Sequence, residues 1–154
     1  MTNASPSAAL YLEDLKVGEK FTSAEHAMDE AQIKAFATQF DPQPFHLDDE
    51  AAKATLFGGL AASGWHTAAV TMRLLVTGGL PIAGGIVGAG VELSWPHPTR
   101  ATDVLQVQSE ITGIVPSRSR PDRGMVTVRC ETRNQRGEVL QISVNKVVVP
   151  RRPT

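Results

Sequence analysis

One strongly apolar segment, residues 64–76, constrains the fold of this chain more than any other part of the sequence. At a helical period it is apolar on nearly every side, so the helix it forms must be nearly enclosed. Gly78-Gly79 and Pro81 end that helix. Its apolar residues are Trp65, Ala68, Ala69, Val70, Met72, Leu74, Leu75 and Val76, and its thin polar edge is His66, Thr67, Thr71 and Arg73.

Beyond residue 85 the hydrophobic period changes to two, which is typical of strands. Four alternating segments with short connections predict mostly antiparallel strands, and Asn134 to Gly137 is expected to form a hairpin turn. A sheet that wraps around the single apolar helix buries both, which predicts an α+β fold. The alternating residues are Val87, Ala89, Val91, Leu93 and Trp95; Leu105, Val107 and Ile111; Val126, Val128 and Cys130; and Leu140, Ile142, Val144 and Val148.

The first part of the chain predicts a weak strand, Lys20 to His26, followed by helices. Asp29 is a candidate N-cap with Gln32 placed to complete a capping box. The apolar residues Ile33, Phe36, Ala37 and Phe40 then share one helical face, and the helix ends at the Asp41-Pro42 step. Asp48 is expected to cap a short helix through Ala54.

Asp41 and His46 lie on one loop that Pro42 and Pro44 stiffen. A carboxylate beside an imidazole is a proton-transfer pair, and Gly64, at the start of the apolar helix, offers a backbone N–H for a developing oxyanion. Each residue also has a purely structural interpretation. Asp41 alone fits a helix-terminal turn residue, His46 a packed histidine, and Ser63 a helix N-cap.

This segment resembles the MaoC-like dehydratases, which include (R)-specific enoyl-CoA hydratases with a hotdog fold. The resemblance rests on Asp41-Pro42-Gln43-Pro44-Phe45-His46, on Leu47-Asp48 and on Ser63-Gly64, and it extends loosely from Leu10 to Val149. It implies one hotdog domain over residues 10–150, an antiparallel sheet wrapped around a long central helix. Residues 1–9 are expected to be a disordered or extended N-terminus, and residues 151–154 a tail.

The resemblance implies an acyl-thioester hydratase/dehydratase that adds water reversibly to a 2-enoyl-CoA and gives the (R)-3-hydroxyacyl-CoA. It assigns catalysis to Asp41, His46 and Gly64. Gln43, Phe45 and Ser63 differ from many members, as does Met72, which stands where some hydratases carry a serine. Such changes bear on the substrate, and bulky side chains near the acyl path favour a short or branched chain. The predicted substrate-binding residues are Gln43, Phe45, Ser63, Trp65 and Met72.

Composition excludes several classes of protein and partner. A formal net charge of -1 argues against nucleic-acid binding, and one cysteine, Cys130, fits a reducing cytoplasm. The sequence shows no signal peptide and no run long enough to span a bilayer. Its four histidines lack the close spacing of a zinc site. These features favour a cytoplasmic protein. The resemblance and the one-helix, one-sheet pattern imply a homodimer or higher homo-oligomer that needs no cofactor beyond the coenzyme A or acyl carrier protein of its substrate.

Two other functions remain open on the sequence. A hotdog thioesterase would carry an acidic residue on the central helix, and residues 64–76 contain none. A non-catalytic acyl-CoA-binding subunit would not need both Asp41 and His46. Two minor hypotheses concern His66, which is more typical of a polar helix edge than of a catalytic group, and the loop Arg118 to Arg123, a solvated turn or a contact for coenzyme A phosphates.

Overall fold

The computed structural model describes residues 9–154, so the prediction for the N-terminal segment lies outside the described residues except at Ala9. Five strands form one antiparallel sheet in the order β1-β3-β4-β5-β2, which confirms the predicted sheet around a central helix. The helices are a 3₁₀ turn (Leu12–Asp14), α1 (Glu30–Phe40), α2 (Pro44–Leu47), α3 (Asp49–Lys53) and α4 (Gly64–Leu74). The strands are β1 (Lys20–Ala27), β2 (Val87–Ser94), β3 (Val104–Pro116), β4 (Arg123–Arg133) and β5 (Val139–Pro150).

Helix α4 lies against the inner face of the sheet, and Val70, Leu74 and Leu75 reach the main core. The helix continues as a π turn, Leu75–Gly79, and Gly78 ends it with φ 138°, a conformation that only glycine adopts easily. The predicted hairpin at Asn134 to Gly137 is confirmed by the hydrogen bond from the Gly137 N–H to the Asn134 carbonyl. Within residues 9–154 every helix falls short of the length and apolar character that crossing a bilayer requires.

The predicted polar edge of α4 is wrong, because three of its four residues point inward. His66, Thr67 and Thr71 are buried, whereas Trp65 is 60% exposed and Met72 45% exposed. The threonines find partners inside: Thr67 Oγ1 lies 2.8 Å from Thr99 Oγ1, and Thr71 Oγ1 lies 2.6 Å from Thr132 Oγ1. Their hydroxyls are satisfied in the interior, and the sheet of this chain leaves the Trp65 and Met72 face of α4 uncovered.

The predicted inward face of β5 is also wrong beyond Leu140. Ser143 pairs with Cys130 and Val147 with Val126 across the β4–β5 ladder. Directly opposed residues share a face of the sheet, so the buried β4 residues fix which β5 residues face the helix. The inner face is therefore Gln141, Ser143, Asn145, Val147 and Val149 rather than Ile142, Val144 and Val148.

Strand β2 forms an edge of the sheet and pairs only with β5 among the described strands. A register shift between Gly88 and Gly90 breaks the predicted single alternating face, because an extra residue reverses the side-chain direction beyond it. Val87 and Val91 are 58% and 57% exposed. This edge thus presents unpaired backbone groups beside exposed apolar side chains.

Candidate active site

The end of α1 and the short helix α2 bring Asp41 and His46 together. Asp41 caps α1, and its N–H donates to the Ala37 carbonyl. The segment predicted as a loop contains a helical turn, because Pro44 at its first position suits a helix start; His46 is the third residue of that turn. Asp41 Oδ2 lies 3.3 Å from His46 Nε2. Phe40, predicted on the buried face of α1, is 63% exposed.

The His46 ring is buried and held by the backbone on its far side. Its Nδ1 lies 2.6 Å from the Ala61 carbonyl, and because a carbonyl only accepts, Nδ1 carries a hydrogen. Nε2 therefore faces the Asp41 carboxylate. The contact is attractive when Nε2 also carries a proton, or when a water beside the two atoms hydrogen-bonds to both. Either arrangement makes the pair one proton-handling unit.

Two neighbouring side chains keep Asp41 ionised. Burial alone would raise its pKa, but hydrogen bonds from Ser63 and Gln43 and the nearby His46 outweigh burial and hold the pKa below its usual value. The Gln43 amide donates to Asp41 Oδ1 over 2.6 Å. Asp41 is consequently a carboxylate at neutral pH, the form that accepts a proton from water.

Gly64 opens α4 behind the N-cap residue Ser63, whose hydroxyl accepts from the Trp65 N–H over 3.2 Å. Among the described residues the Gly64 N–H has no acceptor. A Cβ on Gly64 would lie 2.6 Å from Cε2 of Trp95, so the close approach of the indole requires glycine. The N–H is thus free for a ligand at the positive end of a helix.

These groups meet in one cleft of about 500 Å³. Ser63 is fully buried behind the cleft and reaches it through its hydrogen bond to Asp41. Met72 lies outside the cleft. The roles assigned to all eight predicted residues stay predictions. Six of the eight line the cleft: Asp41, Gln43, Phe45, His46, Gly64 and Trp65.

A second cavity of about 370 Å³, which we term the chamber, lies between α4 and the inner face of β2, β4 and β5. Trp65 lines both cavities, and it makes an edge-on contact with Trp95 at 5.4 Å where they adjoin. Met72 lines the chamber wall. The polar residues Gln141, Ser143 and Asn145 line its β5 side and were missed from the sequence, although polar residues at every second position of a strand indicate a shared face.

Arg100 is another residue that the sequence did not single out. Its guanidinium donates to three backbone carbonyls, those of Phe57, Gly59 and Leu60. Phe57 lines the cleft, and Ala61, whose carbonyl holds His46, follows Leu60 directly. Arg100 therefore fixes the segment that orients the His46 imidazole.

The two minor hypotheses concern residues that lie away from the cleft. His66 is buried, stacks on Phe36 at 4.7 Å and does not line the cleft, and its Nδ1 has no hydrogen-bond partner in residues 9–154. Burial, with a smaller contribution from His26, lowers its pKa.

The Arg118 to Arg123 loop follows β3, whereas the cleft residue Thr99 precedes it. The thirteen residues of β3 span about 40 Å of strand between them, so within this chain the loop lies far from the cleft.

Residues 14–134 match the MaoC like domain. A crystal structure of a MaoC-like dehydratase from Rhodospirillum rubrum is 66% identical, with a TM-score of 0.94 over 95% of this chain and 100% of the other. An (R)-specific enoyl-CoA hydratase from the same species is 30% identical over 92% of this chain and 93% of its own. A 3-hydroxybutyryl-CoA dehydratase from Methylorubrum extorquens is 33% identical over 72% and 69%, respectively. The fold shared with this MaoC-like dehydratase structure is the hotdog fold, as the resemblance implied.

Proposed function

Because this chain belongs to the MaoC-like domain family, we propose that it is a hydro-lyase that adds water reversibly to a 2-enoyl-CoA. The product is the (R)-3-hydroxyacyl-CoA, by analogy with the relative named an (R)-specific enoyl-CoA hydratase. The observation that carries the proposal is the Asp41–His46 pair, 3.3 Å apart, in the same cleft as the unpaired Gly64 N–H. The reaction needs no cofactor beyond the coenzyme A or acyl carrier protein part of the substrate.

The thioester carbonyl accepts a hydrogen bond from Gly64, and the positive end of α4 stabilises the enolate oxygen that forms there. A water held by Asp41 and His46 attacks C3, and the pair takes the proton that this water loses. The electrons of the C2–C3 double bond move onto the thioester to form the enolate. The pair then returns one proton to C2, and the enolate collapses to the hydroxyacyl thioester.

The test is turnover of a panel of enoyl-CoAs, followed as loss of the enoyl absorbance. Asp41→Asn and His46→Ala are each expected to lower kcat by roughly 10²-fold or more, with the double variant little worse than either. Asp122→Asn, on a side chain 69% exposed, is the matched control and should keep wild-type turnover. Wild-type kcat in Asp41→Asn, or losses that multiply in the double variant, would reject the shared-water scheme.

Adding saturated acyl-CoAs to the panel, with a binding measurement, separates the other two functions. A thioesterase would release free thiol from saturated acyl-CoAs, yet α4 carries no acidic residue to activate water. A non-catalytic subunit would bind acyl-CoA without turnover. Neither explains why Ser63 and Gln43 hold Asp41 ionised beside an imidazole.

We further propose that the chain acts as a homodimer in which each subunit closes the chamber of the other. The open edge of β2 and the exposed Trp65 and Met72 support it. Light scattering over a dilution series should give twice the chain mass, and Val87→Lys on β2 should weaken the dimer. Val115→Lys, at a similarly exposed valine away from β2, is the matched control. A stable monomer with full activity would refute the proposal.

A further inference from the structure

The chamber differs from a plain hydrocarbon pocket in the chemistry of one wall. Its α4 side is formed by residues such as Ala68, Met72 and Leu75, whereas its β5 side carries Ser143 and Asn145 at successive inward positions. An apolar pocket with a few placed polar groups is the usual form of a site that orients a ligand through hydrogen bonds.

The hydrogen bonds of Asn145 show which of its side-chain atoms can still bind a ligand. Its Nδ2 donates to the Val128 carbonyl and to Ser143 Oγ, each over 3.0 Å. Since a carbonyl only accepts, the amide nitrogen must be the atom on that side, and Oδ1 must lie on the other. Within residues 9–154, Oδ1 has no hydrogen-bond donor. The wall therefore offers an acceptor to whatever occupies the chamber.

The absence of charge from the described lining limits which chemical classes of ligand can fit the chamber. The described residues around the chamber include no Lys, Arg or His and no Asp or Glu. A carboxylate in the chamber would lose its hydration without gaining a cation, and it would face the Asn145 oxygen. A hydroxyl avoids both costs because it is neutral and can donate to Oδ1.

We propose that the chamber selects 2-enoyl thioesters whose acyl chain carries a hydroxyl group toward its far end, with Asn145 Oδ1 as the acceptor and Ser143 beside it. This rests on the proposed hydratase function. The chamber begins at Trp65, next to Gly64. In this proposal a chain bound with its carbonyl at the Gly64 N–H passes the two tryptophans to enter it. Ser143 and Asn145 lie about 7 and 14 Å along β5 from Gln141, which accepts from Trp95 at the near end. The hydroxyl thus sits beyond the reacting carbons.

The experiment measures kcat/KM on pairs of enoyl-CoAs of equal length, with and without a terminal hydroxyl, from butenoyl to decenoyl. At its best length the hydroxylated member should exceed its plain partner in kcat/KM by roughly tenfold, since one hydrogen bond is gained inside the chamber. Asn145→Leu, of similar size and without the oxygen, should reverse the preference. Val144→Leu, on the opposite face of β5, is the matched control and should keep it.

The outcomes separate this inference from the function on which it rests. Turnover of plain chains at every length with no preference for their hydroxylated partners would overturn the inference and leave the hydratase intact. Loss of the preference in Asn145→Leu but not in Val144→Leu would support it. No turnover of any enoyl-CoA would overturn the proposed function itself. Should Asn145→Leu fail to fold, the wild-type pairs alone decide.

Discussion

Replacing Gly64 by proline tests the proposed oxyanion donor, and the structure supplies the matched control. Proline deletes the N–H and is well tolerated at the first position of a helix. Ser63 has φ -55° and ψ 140°, the extended conformation that a following proline requires. Proline and alanine both add a Cβ, which would meet three atoms of the Trp95 indole at 2.6 to 2.9 Å. Gly64→Ala therefore shares the Cβ contact with Trp95 but keeps the N–H.

The size of the shared steric cost follows from the contacts of the indole. Moving the ring breaks the 2.9 Å hydrogen bond from Trp95 Nε1 to Gln141 Oε1. An unsatisfied buried acceptor costs about 1–3 kcal/mol, so both variants should unfold at a lower temperature by roughly 2–4 °C per kcal/mol. Only Gly64→Pro should also lose about 2.7–4 kcal/mol of transition-state stabilisation, a fall of roughly 10² to 10³ in kcat.

The assay compares kcat of the two variants on the best enoyl-CoA, after thermal melts show that both are folded. The ratio of Gly64→Ala to Gly64→Pro isolates the N–H because the Trp95 contact cancels. Equal kcat values for the two folded variants would refute the assignment, and the thioester carbonyl would then need another donor.

Three further predictions follow from buried contacts. His66→Phe should make the free energy of unfolding depend less on pH. The pKa of His66 is lowered in the folded state, so the wild type loses stability as pH falls below about 6.5. An equally steep loss in the variant, measured by denaturant titration at several pH values, would contradict this. Thr71→Val removes the hydrogen-bond partner of the Thr132 hydroxyl and should lower the free energy of unfolding by about 1–3 kcal/mol in the same titration. An unchanged denaturation midpoint would contradict the importance of this hydrogen bond. Arg100→Met frees the carbonyls of Phe57, Gly59 and Leu60 and should lower kcat with the fold retained. The backbone N–H groups of residues 57–60 should also exchange their hydrogens faster, and unchanged exchange with unchanged kcat would count against the positioning role.

The sequence predicted the elements well where local chemistry decides them. Asp29 and Asp48 cap their helices as expected, since a side-chain acceptor beside free backbone N–H groups is a local matter. The Asp41–His46 pair was found because both residues lie in one short segment. The helical turn at Pro44 was missed, although proline at a first helical position is itself a signal for it.

Which way side chains point was predicted less well, because partners distant in sequence decide it. The sequence placed Thr71 on a polar surface, because its buried hydrogen-bond partner, Thr132, lies on a distant strand. The alternation of β5 predicted an outward-facing Ser143 side chain, but pairing with Cys130 fixes the register of β5 and turns this side chain inward. The exposed apolar face of α4 has the same origin: the sequence predicted a buried helix but not that this chain's own sheet leaves Trp65 and Met72 uncovered.

The strand order has a consequence for how the protein is made. Strand β2 pairs with β5, which leaves the ribosome roughly fifty residues later, after β3 and β4. At about 5–20 residues per second the nascent β2 waits for several seconds without its neighbour. During that interval its backbone and the half-built chamber are open to other chains, including copies on the same messenger. Slower translation between β2 and β5 should therefore lower the soluble yield more than the same delay placed before β2.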